Sequence, residues 1–372
     1  MADPKPTLPR PILLAAGGTG GHLFPAFALA EELRRRGRLV DLVTDERGDR
    51  YGTGFPGRTI HQVPSATLAS RSPLAMASTV AKLGRGVWRA RALLSRLRPV
   101  IVVGFGGYPT FPPLVAARLA GIPSIIHEQN AIMGRANKML VGRVTALAAS
   151  WDNTKNVPDS ARAKVRVTGN PVRDAVIAAA RRPYPALGPA DPVQIVVFGG
   201  SQGARYFSDG VPPALAALPG PLRSWLRVVQ QCREEDLPRV REAYAKAGIQ
   251  AELAPFFGDL PERMAAAHLV IARSGASSVS ELAVLGRPSI LVPLPHSLDN
   301  DQLNNARRLA EVGGAWCIEQ KDLTQSRLTH EIAALIDSPQ RLAAAAQAAK
   351  SAGKPQAVKL LADLVEELAG AS

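Results

Sequence analysis

Several loops of this sequence carry residue types that can do chemistry. Gly17-Gly18-Thr19-Gly20-Gly21-His22 lies between an apolar run and a helix-length segment. Glycines let backbone approach a ligand closely, and a helix start offers free N–H groups and partial positive charge to an anion. His22 stands in that first turn, where the positive helix end favours neutral imidazole and suits a general base. Taken alone, four glycines are also what a tight turn needs, and a single histidine there also suits a structural place. A second such loop, Gly199-Gly200-Ser201-Gln202-Gly203-Ala204, adds a hydroxyl to the same anion-binding geometry. A third stretch, Arg273-Ser274-Gly275-Ala276-Ser277-Ser278-Val279-Ser280-Glu281, puts small residues at a helix start and a carboxylate one turn on. That carboxylate can take both hydroxyls of a ribose, or simply favour the helix dipole.

Three further exits from apolar runs are polar or glycine-rich: Gly104-Phe105-Gly106-Gly107-Tyr108, His127-Glu128-Gln129-Asn130, and the stretch from His296 to Gln302. Polar clusters where strands end favour function over decoration. No metal constellation stands out. The six histidines are scattered, HExxH is absent, and Asp299-Asn300-Asp301 reads as a solvated loop.

These loops need strands and helices to hold them. Residues 11–16, 39–44, 100–105, 124–127 and 145–149 read as strands, near-continuous apolar runs suited to a covered parallel sheet. Helices at 23–36, 73–97 and 110–120 fall between them. A proline-rich stretch at 181–192 reads as a linker or exposed loop. The pattern then restarts with strands at 193–198, 227–231, 269–272, 289–293 and 315–318, a helix at 204–218 and a last amphipathic helix at 356–368. The fold class is therefore α/β, with two doubly wound domains and ligands at the carboxyl ends of strands. Two such domains facing across a cleft can hold a donor and an acceptor together.

The chain has 372 residues, two cysteines and a net charge of +14. A disulfide framework is excluded, and a reducing compartment is expected. No apolar run reaches membrane-span length, and residues 1–11 lack the apolar core of a signal peptide. Residues 1–163 carry 22 basic and 10 acidic residues, against 23 and 21 in the rest. A cationic first half meets something anionic. Nucleic acid is disfavoured, since no recognition module is visible and aromatics are 5%. Residues 68–98 interleave apolar residues with arginines, as a helix on an anionic membrane surface would, or as an ordinary helix with a solvated arginine face.

The ordered set of Gly17–Pro25, Gly104–Tyr108, His127–Ala131, Gly169-Asn170-Pro171-Val172-Arg173, Gly199–Ala204 and Arg273–Glu281 resembles the MurG family. These are the N-acetylglucosaminyltransferases that move N-acetylglucosamine from UDP-N-acetylglucosamine (UDP-GlcNAc) to lipid I, forming lipid II for peptidoglycan. The resemblance covers most of the chain. It implies a GT-B fold, with an acceptor and membrane-surface domain at 1–167 plus a returning helix at about 354–372. A UDP-GlcNAc domain is implied at 168–353. It implies an inverting enzyme without a required cofactor or metal, peripheral on the cytoplasmic face of the bacterial inner membrane and serving cell-wall biogenesis, shape and division. Its partners are UDP-GlcNAc, lipid I, the membrane and other wall-synthesis proteins.

Carried over by motif, the implied donor contacts are Thr19, Gly20, Gly21, Asn130, Arg173, Ser201, Gln202, Gly203, Phe257, Ala276, Ser277, Ser278, Val279, Ser280, Glu281 and Gln302. Gly18, Gly104, Gly106, Gly107 and Tyr108 are implied for the acceptor diphosphate. His22 is the expected base, with Glu128 second. Phe257 replaces a residue often aliphatic in the family, and Ser278 one that is commonly threonine. The competing reading is a UDP-sugar epimerase of the same architecture, which needs no lipid acceptor.

Overall fold

In the computed structural model, residues 10–17, 20–45, 54–65, 73–188, 191–200 and 205–370 are described. The chain forms two compact units, Met1–Pro171 with Gln356–Ser372 and Val172–Pro355.

The first unit contains β1 (Ile12–Ala15), α1 (Gly20–Arg35), β2 (Val40–Thr44), β3 (Thr59–Gln62), α2 (Pro73–Leu97), β4 (Ile101–Gly104), α3 (Phe111–Leu119), β5 (Ser124–Glu128), α4 (Arg135–Leu140), β6 (Ala146–Ala149) and β7 (Val165–Val167). The second contains α5 (Asp174–Ala179), β8 (Val193–Phe198), α6 (Arg205–Ala216), α7 (Gly220–Trp225), β9 (Leu226–Gln231), α8 (Leu237–Lys246), β10 (Gln250–Ala254), α9 (Leu260–Ala266), β11 (Leu269–Ala272), α10 (Ala276–Leu285), β12 (Ser289–Leu291), α11 (Asp301–Glu311), β13 (Ala315–Cys317), α12 (Gln325–Ile336) and α13 (Pro339–Ala352). Helix α14 (Ala357–Gly370) belongs to the first unit.

Both sheets are parallel, in the orders β3-β2-β1-β4-β5-β6-β7 and β10-β9-β8-β11-β12-β13. Each order reverses direction from its starting strand, the doubly wound pattern. Strand periodicity divides the side chains of β1 between two cores. Ile12 and Leu14 join Leu29 and Leu33 of α1 and Leu361 and Val365 of α14. Leu13 and Ala15 join Leu93 and Leu94 of α2 and Leu114 of α3. In the second unit, Val193, Ile195 and Val197 of β8 pack with Phe207 of α6 and Ile332 of α12.

The sequence reading missed β3, β7 and β10. All three are sheet edges with exposed or half-buried positions, so they lack the apolar run that marks a strand covered on both faces. The proline-rich stretch at 181–192 lies inside the second unit.

A buried guanidinium and a surface ammonium hold that unit through backbone carbonyls. The Arg287 guanidinium donates to the carbonyls of Ala265 (2.6 Å), Leu285 (2.7 Å), Gly286 (3.0 Å) and Pro183 (3.1 Å), and lies 5.7 Å from the Tyr184 ring centroid. Burial pulls it down to about 10. Lys350 Nζ donates to Ala180 and Val284 at 2.9 and 2.8 Å. All but the Pro183 carbonyl lie at the ends of α5, α9 and α10, where helix dipoles favour positive charge.

Helix α14 docks on α1 through the buried Leu361 and Val365. Beside them, Arg36 meets Asp363 (2.6 Å), Glu366 (2.9 Å) and Glu32 (2.9 Å), and Arg38 meets Glu366 (2.6 Å). The ion pairs are partly exposed and worth little each; the buried leucine carries more. Leu361→Ala is expected to cost about 2–5 kcal/mol in urea denaturation, and Arg36→Ala about 1 kcal/mol. A larger loss from Arg36→Ala would show that charge, not packing, holds the helix.

Candidate active site

The first unit's site is built at the carboxyl ends of β1, β4 and β5. Past β1, Gly17 runs so close to its neighbours that a Cβ there would meet Thr44 Oγ1 at 2.7 Å. Helix α1 begins at Gly20 and takes Gly21 and His22 into its first turn, earlier than the sequence suggested. The half-buried His22 ring lies against the loop that leaves β4. A Cβ at Gly106 would come within 3.3 Å of His22 Cε1, and one at Gly107 within 3.3 Å of Cδ2. Both glycines have left-handed φ, +86° and +74°. A side chain at either would therefore strain the backbone and push on the imidazole.

That loop is pinned on both sides. The Phe105 N–H donates to the Ala15 carbonyl (2.9 Å), and the Thr110 hydroxyl to the Gly107 carbonyl (2.8 Å). Gln129 Nε2 donates to the Phe105 carbonyl at 2.7 Å. Gly104 lies beneath, where a Cβ would collide with Leu114. Tyr108 is half-buried at the loop's far end.

Glu128, 1% exposed, closes β5. Its Oε1 accepts from Asn130 N (3.0 Å) and Asn130 Nδ2 (3.2 Å); its Oε2 accepts from Gly134 N (2.9 Å) and Asn137 Nδ2 (2.8 Å). Burial pushes its carboxyl up, against those four donors. Its neighbour His127 is also buried. The His127 Nε2–H donates to the Gly169 carbonyl (2.9 Å), so Nδ1 carries the lone pair. Burial, and to a smaller degree repulsion from His22, hold it down at about 4, so this ring is neutral at pH 7.

The second unit's site is built at the carboxyl ends of β8, β10, β11 and β12. Gly200 (φ +85°) follows β8, and the Gly199 N–H donates to Gln231 Oε1 at 3.3 Å. After β11, Arg273 turns inward. It donates to the carbonyls of Val292 and Pro293 (3.1 Å each) and to Gln320 Oε1 (2.6 Å), beneath Tyr206 and Phe207. Ser274 Oγ donates to the Gln302 carbonyl (2.8 Å), and Asn305 Nδ2 to the Ser274 carbonyl (3.2 Å). Gln302 Oε1 accepts the Leu294 N–H at 3.0 Å. The Gln302 and Asn305 pair thus fixes the loop leaving β11.

Helix α10 then opens at Ala276, with Gly275 as N-cap and no side chain on its first N–H groups. Ala276, Ser277 and Ser278 are half-buried at that end; Val279 is fully buried, and the Ser280 hydroxyl bonds back to the Ala276 carbonyl. Glu281 accepts two 2.9 Å bonds from the Nε and Nη2 of Arg173. Two residues singled out separately in the sequence therefore form one ion pair. Phe257 is buried under the Arg263 guanidinium, 4.5 Å from its ring centroid, while Phe256 is 74% exposed.

Gly18, Thr19, Ser201, Gln202 and Gly203 lie outside the described residues. Among the described residues, no group of three or more His, Cys, Asp or Glu is placed to hold a metal ion. Sequence reasoning missed Gly134 and Asn137 as donors to Glu128, and Gly169 as the partner of His127. Only Asn137 left a signal, a polar residue on the otherwise buried side of α4.

Comparison with known proteins fits this geometry. The glycosyltransferase family 28 N-terminal domain matches residues 12–149 and its C-terminal domain residues 194–361. Proteins named UDP-N-acetylglucosamine--N-acetylmuramyl-(pentapeptide) pyrophosphoryl-undecaprenol N-acetylglucosamine transferase are 53% identical in Rhizobium etli (strain CIAT 652), over 96% of this chain and 95% of that protein, and in Brucella abortus (strain S19), over 96% and 94%. The crystal structure of Acinetobacter baumannii MurG superposes with a TM-score of 0.79 at 28% identity, covering 96% of this chain and all of that one. A UDP-GlcNAc 2-epimerase from Neisseria meningitidis shares the fold, with a TM-score of 0.65 at 14% identity over 96% of this chain and all of the other. With two Rossmann-like parallel sheets, both family 28 domains and half its residues in common with these transferases, the chain belongs to the MurG family of GT-B glycosyltransferases.

Proposed function

We infer that this chain transfers N-acetylglucosamine from UDP-GlcNAc to the 4-hydroxyl of the N-acetylmuramyl sugar of undecaprenyl-linked lipid I. The observation that carries the mechanism is the His22 imidazole, held in the first turn of α1 by Gly106 and Gly107. Inversion needs one base. The acceptor oxygen forms its bond to the anomeric carbon while its proton passes to His22. The bond from that carbon to UDP breaks, and its electron pair leaves on the diphosphate. Glu128 is the weaker candidate for this step, because four donors already occupy its carboxylate. It positions the loop that carries Asn130. Such a base is worth about 10²–10⁴ in rate.

The second unit takes the donor. N–H groups at the start of α10 and in the loop after β8 meet the diphosphate and its developing charge, so the step requires no metal. Glu281, aligned by Arg173, takes the ribose hydroxyls. Ser277, Ser278 and Ser280 line the same helix end, Phe257 packs near the uracil, and Gln302 fixes the loop beside it. Gly20, Gly21 and Asn130 border the sugar. Gly106, Gly107 and Tyr108, with Gly104 beneath them, receive the acceptor diphosphate. Thr19, Gly18, Ser201, Gln202 and Gly203 complete these loops by motif.

The acceptor is lipid-borne, and we place the enzyme on the cytoplasmic membrane face beside other wall-synthesis proteins. No helix among the described residues is long and apolar enough to cross a membrane. Trp88 is 70% exposed on the arginine-rich α2, with Val80 also exposed, as a surface-lying helix requires.

UDP release from UDP-GlcNAc in EDTA is expected only when a lipid I analogue is present. Isomerisation without acceptor would instead establish the epimerase reading. His22→Ala is expected to lower kcat by about 10²–10⁴ with KM for UDP-GlcNAc unchanged. The wild-type rate should fall as acid protonates the base, and this limb should vanish from the variant's residual activity. His127, already neutral down to about pH 4, does not supply it. Near-normal turnover of the variant would remove His22 from the role. Glu281→Gln is expected to raise KM for UDP-GlcNAc about 10–100-fold while kcat changes little. The reverse pattern would detach Glu281 from the ribose.

A further inference from the structure

A groove of about 690 Å³ lies on the first unit between β3 and α2. Residues 60–63, four in succession, line one wall. Successive strand side chains point to opposite faces, so a wall made of consecutive residues is the strand's edge. β3 is the terminal strand of its sheet, and no strand among the described residues pairs with its outer side. The Val63 N–H bonds the Thr44 carbonyl of β2, so by the alternation of a parallel pair Ile60 turns its N–H and C=O outward. Such an edge is a template for another strand.

The opposite wall is cationic. Arg89 and Arg96 are exposed, and neither guanidinium has a partner among the described residues. Seven residues apart, they share one helix face at about 10.5 Å along the axis. Buried Leu93 lies between them. No carboxylate among the described residues lines the groove. Asp41, nearby on β2, is fully buried and bonded to Arg58 and His61. The face is also separate from Trp88, which lies about 80–100° round α2 from both arginines.

We propose that this groove binds an extended acidic segment of a partner protein, which adds as a strand to β3 and sets its carboxylates against Arg89 and Arg96. Alternate acids on one face of a strand stand about 7 Å apart, within reach of both flexible arms. Two cations spaced along a strand edge suit a peptide running beside it, whereas a lipid headgroup calls for charges gathered at one point. The proposal does not depend on the transferase reading.

The test uses the full chain and a fluorescein-labelled eight-residue peptide alternating glutamate and valine, followed by anisotropy. Binding is expected, with at least tenfold weakening by Arg89→Glu with Arg96→Glu. Weakening of at least tenfold is also expected when alternate peptide amides are N-methylated, which removes ladder donors without changing charge. Equal binding of the N-methylated peptide would overturn strand addition, as would undiminished binding to the double variant. Displacement of the peptide by phosphatidylglycerol vesicles, with vesicle binding lost in the double variant, would assign the groove to lipid instead.

Discussion

The first unit's candidate site depends on what three consecutive residues at the end of β5 do with their side chains. Glu128 is a buried carboxylate bonded by no cation among the described residues, and its four hydrogen bonds make that burial tolerable. It thereby ties the chain from Asn130 to Asn137 to the sheet. Gln129 reaches the Phe105 carbonyl and fixes the glycine loop against which His22 rests. His127 reaches Gly169, two residues before the first unit's main segment ends. One strand end therefore sets the geometry of the Gly104–Tyr108 loop, the imidazole wall and the start of the connection to the second unit. Loss of any of the three would be felt in residues far away in sequence.

The second unit solves its positioning problem differently. Arg273, Arg287 and Lys350 are tied to carbonyl oxygens, most of them at helix or strand ends. Carbonyl dipoles spread the compensation over several bonds, so no single partner fixes the charge. A bidentate carboxylate pair, Glu281 with Arg173, joins α10 to the start of α5. Its two bonds hold the carboxylate aimed before any ligand arrives, a preorganised arrangement.

Much of this was legible in the sequence for a physical reason. Central parallel strands must be apolar on both faces, so the runs now seen as β1, β4, β5, β8 and β11 announced themselves, and the glycine-rich and polar loops at their exits marked the candidate sites. Edge strands carry half that constraint, so β3, β7 and β10 passed unseen. Side-chain pairing was the other blind spot. Glu128 and Asn137 are nine residues apart, His127 and Gly169 forty-two, Arg173 and Glu281 one hundred and eight. No periodicity links such pairs; only the sheet's winding brings them together. The sequence offered Glu128 as a possible base, and its four bonds show how thoroughly a carboxylate can be committed to holding a loop.

The return of α14 to α1 has a consequence for synthesis. The second unit is an insertion in the first, so the ribosome makes Val172–Pro355 before it makes the helix that completes the first core. Until then the face of β1 and α1 that Leu361 and Val365 cover stands open to water. The unit begun first is finished last, and its exposed face must be shielded or tolerated while an entire second domain is translated.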